Sequence, residues 1–212
     1  MSKTFKGTPM KDLRGYLKPN EIEQILNVIQ NLRDKALFRL LWVTGARISE
    51  IVGDKSDVYL KKEKPHIFHG MKVEDILWDD NTVLLDTLKR KKYPPEKRRV
   101  AIDKKTIALL RKYVNVERKD SQDQVFKITR VRVYQLLRKY GELSGITKIG
   151  KKSIHPHGFR HSHCVAYVQK NNNMEGLKKL QNRLKHANIE TTAHYLQFAP
   201  ETQQEIEDIF GD

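Results

Sequence analysis

Four side chains able to handle a phosphate lie close together late in the sequence: His157, Arg160, His186 and Tyr195, in a stretch that opens HPHGFRH and closes RLKHANIETTAHY. A guanidinium presents a planar fork of donors that matches two phosphate oxygens and keeps its charge at any working pH. Imidazole gives or takes a proton near neutrality. A phenol that loses its proton becomes an oxygen nucleophile. Together these groups can grip a phosphodiester and attack it.

Their spacing constrains how they are held. If FRHSHCVAYVQK is a helix, His157 and Arg160 are three positions apart, differ by about 60° around its axis and share a face. His186 and Tyr195 are separated by nine positions, which on one unbroken helix would point them in opposite directions. A break between them is required. Asn188 is suited to cap a new short helix through Glu190, Thr191 and Thr192 that returns Tyr195 toward His186.

HGFRH and KHANIETTAHY resemble the second conserved segment of the tyrosine recombinase, or phage-integrase, family: His-x-x-Arg, then His or Trp, with Tyr nine residues later. TGARISE at 44–50 resembles the family's first segment, which carries another arginine, here Arg47, with Glu50 as the group that orients it. The resemblance runs roughly from Leu17 to Phe210. It implies a site-specific DNA recombinase or integrase that cuts and rejoins strands through a covalent 3′-phosphotyrosine, independent of metal and ATP. It also implies a catalytic lysine on a β-hairpin inserted in the DNA minor groove. TLKRKK offers several candidates; Lys89 fits a Thr-x-Lys segment ahead of an Arg-x-Val strand, and Lys91 is the next choice.

Cleaving a phosphodiester without metal requires neutralised phosphate oxygens, a nucleophile that loses a proton and a leaving oxygen that gains one. On this reading Arg47 and Arg160 clamp the phosphate and His186 donates to a non-bridging oxygen. His157 is the base for Tyr195, and Lys89 the acid for the 5′ oxygen. Taken singly, Arg47 is an ordinary ion-pair partner for Glu50, Tyr195 a buried tyrosine and His186 a helix-end cap; only the set points to catalysis. His155, His157, His161 and His163 also crowd together as a zinc site might. His163 would point elsewhere, however, and no carboxylate or thiol lies at a convincing spacing, so no metal and no cofactor are expected. Two other readings stay open: a type IB topoisomerase-like nicking and resealing activity, and a DNA-binding accessory protein without catalysis.

The elements that must position these groups follow from patterning. Pro19 opens an amphipathic helix with apolar residues at 22, 25, 26 and 29. DKALFRLLWV is apolar nearly all round and ends near Gly45, and ISEIVG starts another short helix. Residues 54–70 read as a polar insertion. VEDILW, NTVLLDTLK and KRRVAID read as strands, the last two joined by a basic hairpin whose Arg90, Lys91 and Lys92 the resemblance implies as DNA contacts. KKTIALLRKYV is a helix, and QVF a short strand. Thr129 caps a helix that buries Val133, Leu136, Leu137 and Tyr140, and the family resemblance implies that Arg130 and Arg132 in its first turn contact DNA. A linker then brings Lys151 and Lys152 alongside the active-site helix.

The expected fold is α+β: a mainly helical catalytic domain with a small antiparallel three-stranded sheet, over residues 16–212. Residues 1–15 are expected to form a flexible basic arm, with no separate core-binding domain ahead of the catalytic one. Across 212 residues, 41 Lys plus Arg against 26 Asp plus Glu leave a net charge of +15, which favours a polyanionic partner. The resemblance implies that this partner is double-stranded DNA, with self-association into a dimer or tetramer on it, since strand exchange needs several nucleophiles. One cysteine, no apolar signal core and no long apolar stretch point to a cytoplasmic, DNA-associated protein rather than a membrane one.

Overall fold

The computed structural model describes residues 15–53, 69–87, 96–185 and 190–198. The first helix, α1 (Pro19–Asn27), starts on a proline whose missing N–H is not needed there, and Glu21 turns back to accept the Lys18 N–H at 2.6 Å. Asn31 caps α2 (Leu32–Thr44) by accepting the Asp34 N–H at 3.1 Å. As its all-round apolar sequence requires, α2 lies inside the molecule, against α1, α4 (Lys104–Val116) and α6 (Pro156–Lys170). Arg39, the charge that interrupts its apolar run, bonds Thr106 Oγ1 at 3.0 Å and Glu23 and Asp103 at 3.1 Å, tying α2 to its neighbours. Buried Asp34 accepts the Tyr140 hydroxyl at 2.7 Å from α5 (Arg130–Leu143). Phe38 packs on Tyr140 and on Phe159 of α6, with ring centroids 5.9 and 6.1 Å apart. One helix is thus the wall on which the others are assembled.

Beside it lies an antiparallel sheet in the order β1 (Ile76–Leu77), β2 (Thr82–Asp86), β3 (Lys97–Ala101). The segment VEDILW is not wholly a strand. Val73–Asp75 form a 3-10 turn, because the buried Asp75 carboxylate folds back to accept the Lys72 N–H at 2.9 Å and pairs with Lys97. Leu85 stands opposite Arg98, and Val83 opposite Val100. Alternation along β3 buries Arg98 and Val100 and exposes Lys97 and Arg99. QVF contributes one isolated bridge, Lys72 to Gln124, with Val125 and Phe126 buried.

Thr129 caps α5 as expected, accepting the Arg132 N–H at 3.2 Å, and Val133, Leu136, Leu137 and Tyr140 are buried. The expected linker to α6 contains a hairpin, β4 (Lys148–Ile149) with β5 (Lys152–Ser153). The terminal methyl of Ile149 lies 2.2 Å from where a Cβ on Gly158 would stand, so the hairpin rests directly on the first turn of α6. The chain continues through α7 (Met174–Leu184) and α8 (Glu190–Ala193) to a 3-10 turn, His194–Phe198. A small second core, Cys164, Val165, Val168, Leu180, Leu184 and Tyr195, joins this last part to α6. No helix among the described residues is long and apolar enough to cross a membrane.

Candidate active site

Arg160 points from α6 into the protein and is 3% exposed. Its Nη1 donates to the Gly45 carbonyl at 2.7 Å and its Nη2 to the Leu184 carbonyl at 3.3 Å. Both acceptors are helix ends, α2 and α7, where unpaired carbonyls carry partial negative charge. Gly45 sits at φ 61°, and a Cβ there would stand 2.5 Å from His163 Cδ2 and 3.0 Å from Leu184 Cδ2. Only glycine meets both demands.

Arg47 leads into α3 (Ile48–Val52), its Nη1 3.0 Å from Glu50 Oε1 and its backbone N–H 2.8 Å from Oε2. The same carboxylate accepts Arg98 Nη2 at 2.7 Å, and Arg98 also donates to the carbonyls of Arg183 and Asp86. Burial alone would raise the Glu50 carboxyl, but Arg98, with Arg160 and Arg47 behind it, draws it below its usual range. Burial, then Arg47, lowers Arg160 to about 10, still a cation at neutral pH. Three guanidiniums around one carboxylate leave an excess of positive charge, and Arg47 and Arg160 destabilise one another. An anion between them, such as a phosphodiester, relieves that repulsion.

His157 is exposed on the first turn of α6; partial burial, then Arg160 and neighbouring histidines, lowers its pKa and keeps it neutral. Tyr195 is nearly buried. Its hydroxyl is 3.3 Å from His161 Nδ1, with ring centroids 5.2 Å apart, and it shares a hydrogen bond with the Cys164 thiol. Burial and Cys164 raise the phenol above its ordinary pKa, so it is held protonated. Phe198, on the same turn, packs edge-on to His161 at 5.8 Å and to Tyr16 at 5.3 Å. The phenol is therefore held by α6 side chains one and four positions after Arg160.

The sequence calls for a helix break between His186 and Tyr195; the described residues show α7 ending at Leu184 with Lys185 left-handed at φ 49°, and α8 giving way at His194 to the 3-10 turn that carries Tyr195. His186 and Asn188 lie outside the described residues, as do Lys89, Arg90, Lys91 and Lys92. Arg47, Glu50, Arg160, His157 and Tyr195 come together around α6. Lys151 and Lys152 are exposed beside His155 and His157, across a shared pocket. Arg130 and Arg132 line a different, wider groove with Arg33, Lys127 and Arg138, between the end of α3 and the start of α5.

Arg98, His161, Cys164 and Arg183 were not among the expected site residues. Arg98 could have been found, because alternation with Val100 points it inward. Arg183, which donates from α7 to the carbonyls of Val43 and Ala101, carries no such signal. Nor does the pairing of His161 with Tyr195, which depends on how the last turn folds back. His163, one of the four crowded histidines, turns away to the Trp42 carbonyl at 2.9 Å, and burial drives its pKa down to about 3. Among the described residues, no three His, Cys, Asp or Glu side chains are placed to share a metal ion.

A model of the phage integrase family matches residues 15–202. A tyrosine recombinase from Pseudothermotoga lettingae is 30% identical over 186 residues, covering 85% of this chain and 55% of the relative. Among solved structures, the XerH site-specific recombinase bound to difH substrate in a pre-cleavage complex superposes with a TM-score of 0.66 at 19% identity, over 98% of this chain and 56% of that one. The catalytic domain of bacteriophage HP1 integrase gives 0.62 at 18% identity, over 93% of this chain and 95% of that one. The chain thus spans about half to two-thirds of the length of the full-length curated relatives it matches.

Proposed function

The chain belongs to the phage integrase family, and from that premise we propose that it is the catalytic part of a site-specific recombinase that cuts and rejoins double-stranded DNA through a phosphotyrosine bond at Tyr195. The observation that carries this reading is the position of the Tyr195 phenol against His161 and Cys164, which follow Arg160 on α6, while Arg160 and Arg47 share the field of the Glu50 carboxylate. Arg47 and Arg160 clamp the scissile phosphate, and Glu50, anchored by Arg98, orients Arg47. His157 borders the phosphate site from the solvent side. Lys89 is the donor to the 5′ oxygen and His186 the donor to a non-bridging oxygen.

Attack by the Tyr195 oxygen forms a 3′-phosphotyrosine and releases a 5′-hydroxyl, which conserves the energy of the broken linkage and makes rejoining independent of ATP. Charge neutralisation comes from guanidiniums, so no metal is required. Lys151, Lys152, Arg130, Arg132 and the hairpin cations Arg90, Lys91 and Lys92 contact the duplex. Exchange between two duplexes calls for several copies of the chain on the DNA.

Covalent capture tests this. The protein is incubated with a pool of nicked duplexes of randomised sequence, denatured, and resolved from free DNA. An adduct that survives denaturation and chelator, and that Tyr195→Phe does not form, is the expected result. An adduct that persists in Tyr195→Phe, or none from the wild-type chain, overturns the assignment.

A further inference from the structure

We propose that His161 is the proton acceptor for Tyr195: its Nδ1 takes the phenolic proton as the tyrosyl oxygen attacks phosphorus, and returns it when the strand is rejoined. The proposal rests on reading Tyr195 as the nucleophile, and it moves the base from His157 to the next histidine on the same helix.

Two groups on α6 touch the phenol, His161 Nδ1 at 3.3 Å and the Cys164 thiol. Burial raises the thiol to about 11, so at neutral pH Cys164 holds its proton and can only share it. Imidazole is different. Burial, then His194 and His155, lowers the His161 pKa, which leaves the ring neutral with one nitrogen free to accept. Among the described residues His157 makes no hydrogen bond to the phenol.

The ring's setting fits the role. Phe198 and Tyr195 pack against it. Its Nε2 side faces Gly15, where a Cβ would stand 3.8 Å away. It also borders the pocket shared with His157, Lys151 and Lys152, a route by which a proton taken at Nδ1 can leave from Nε2. Positions 157, 161 and 164 follow one another along one face of α6. A phenol moving from Cys164 toward the phosphate held at Arg160 stays within reach of His161. In the step itself the bond from the tyrosyl oxygen to phosphorus forms and the bond from phosphorus to the 5′ oxygen breaks. The phenolic proton goes to His161, and the 5′ oxygen takes its proton from the donor proposed at Lys89.

The groups facing His161 are His155 ahead of its helix, His157 and Cys164 on it, Tyr195 and His194 on the last turn, and Lys151 and Lys152 on the hairpin. A DNA-free test places 3-fluorotyrosine at 195 and follows its 19F shift with pH. Below the range in which the phenol itself ionises, we expect a transition that disappears in His161→Gln and in His161→Phe, which keeps the ring packing, but persists in His155→Gln and His194→Gln. A transition in that lower range that survives both His161 substitutions overturns the proposal.

On a duplex captured by the wild-type chain, His161→Gln and His161→Phe should bind DNA normally and form the adduct roughly 100-fold more slowly, the scale of a lost general base. A 5′-bridging phosphorothioate, which needs no acid, should not restore the rate. Difluorotyrosine at 195, which is easier to deprotonate, should recover most of it. Adduct formation within about threefold of wild type, or rescue by the bridging sulfur, overturns the proposal. Failure of the wild-type chain to form any adduct speaks instead against Tyr195 as nucleophile, and the fluorine titration then decides the pairing on its own.

Discussion

A single carboxylate organises the cationic site. Glu50 is 2% exposed and receives both Arg47 and Arg98, so removing its charge leaves the buried Arg98 guanidinium without its counter-charge. Glu50→Gln should lower unfolding stability at neutral pH by roughly 3–5 kcal/mol, the cost of breaking a buried pair from one side, read by urea denaturation. The folded carboxyl titrates below its unfolded value, so its contribution is complete above the ordinary carboxylate range and is lost as pH falls through the lowered value. The variant should therefore show a weaker loss of stability in acid than the wild type. The pairing of Arg47 with Glu50 was visible from TGARISE alone, because the two stand one turn apart. That Arg98 completes it was not, because no local rule pairs residues 48 positions apart.

At the scale of elements, the site exists because helix ends converge. The last carbonyls of α2 and α7 hold Arg160, and Arg183 returns the favour from α7 to Val43 and Ala101. Gly45 is the joint where α2 stops. Gly45→Ala should cost about 1–2 kcal/mol for the left-handed backbone and a further 1–3 kcal/mol for crowding His163 and Leu184. In a double-mutant cycle with His163→Ala, part of the second cost should disappear, while additive effects would show that the ring is not the obstacle. The segment before α1 belongs to the same assembly: the Leu17 N–H donates to Ser162 Oγ at 2.8 Å, and Tyr16 packs on Phe198. The sequence marked residues 1–15 as an arm and carried no sign that Tyr16 reaches the turn carrying Tyr195 while Leu17 bonds α6.

For the whole molecule, the net charge of +15 is spread over distinct surfaces. One is the Lys151 and Lys152 hairpin beside the site, and another the groove with Arg130 and Arg132. If both follow a duplex, log affinity for non-specific DNA should fall linearly with log salt. Arg132→Gln and Lys151→Gln should each reduce the slope by about 1 without changing the fold. An unchanged slope would remove that residue from the interface. The sheet, the long helices and the α5 cap agree with the sequence reading because each depends on local periodicity and capping.

The sequence by itself determined which chemical groups are present, which of them ride on one helix, and that the chain must break before Tyr195, since these follow from spacing and the fixed rise and twist of a helix. Only the tertiary structure decided where that break returns the phenol, which carbonyls hold Arg160, and that Arg98 lies beneath Glu50. Those contacts join residues far apart in the chain, and they are selected by packing around α2 and α6, a property of the whole core that no short stretch of residues contains.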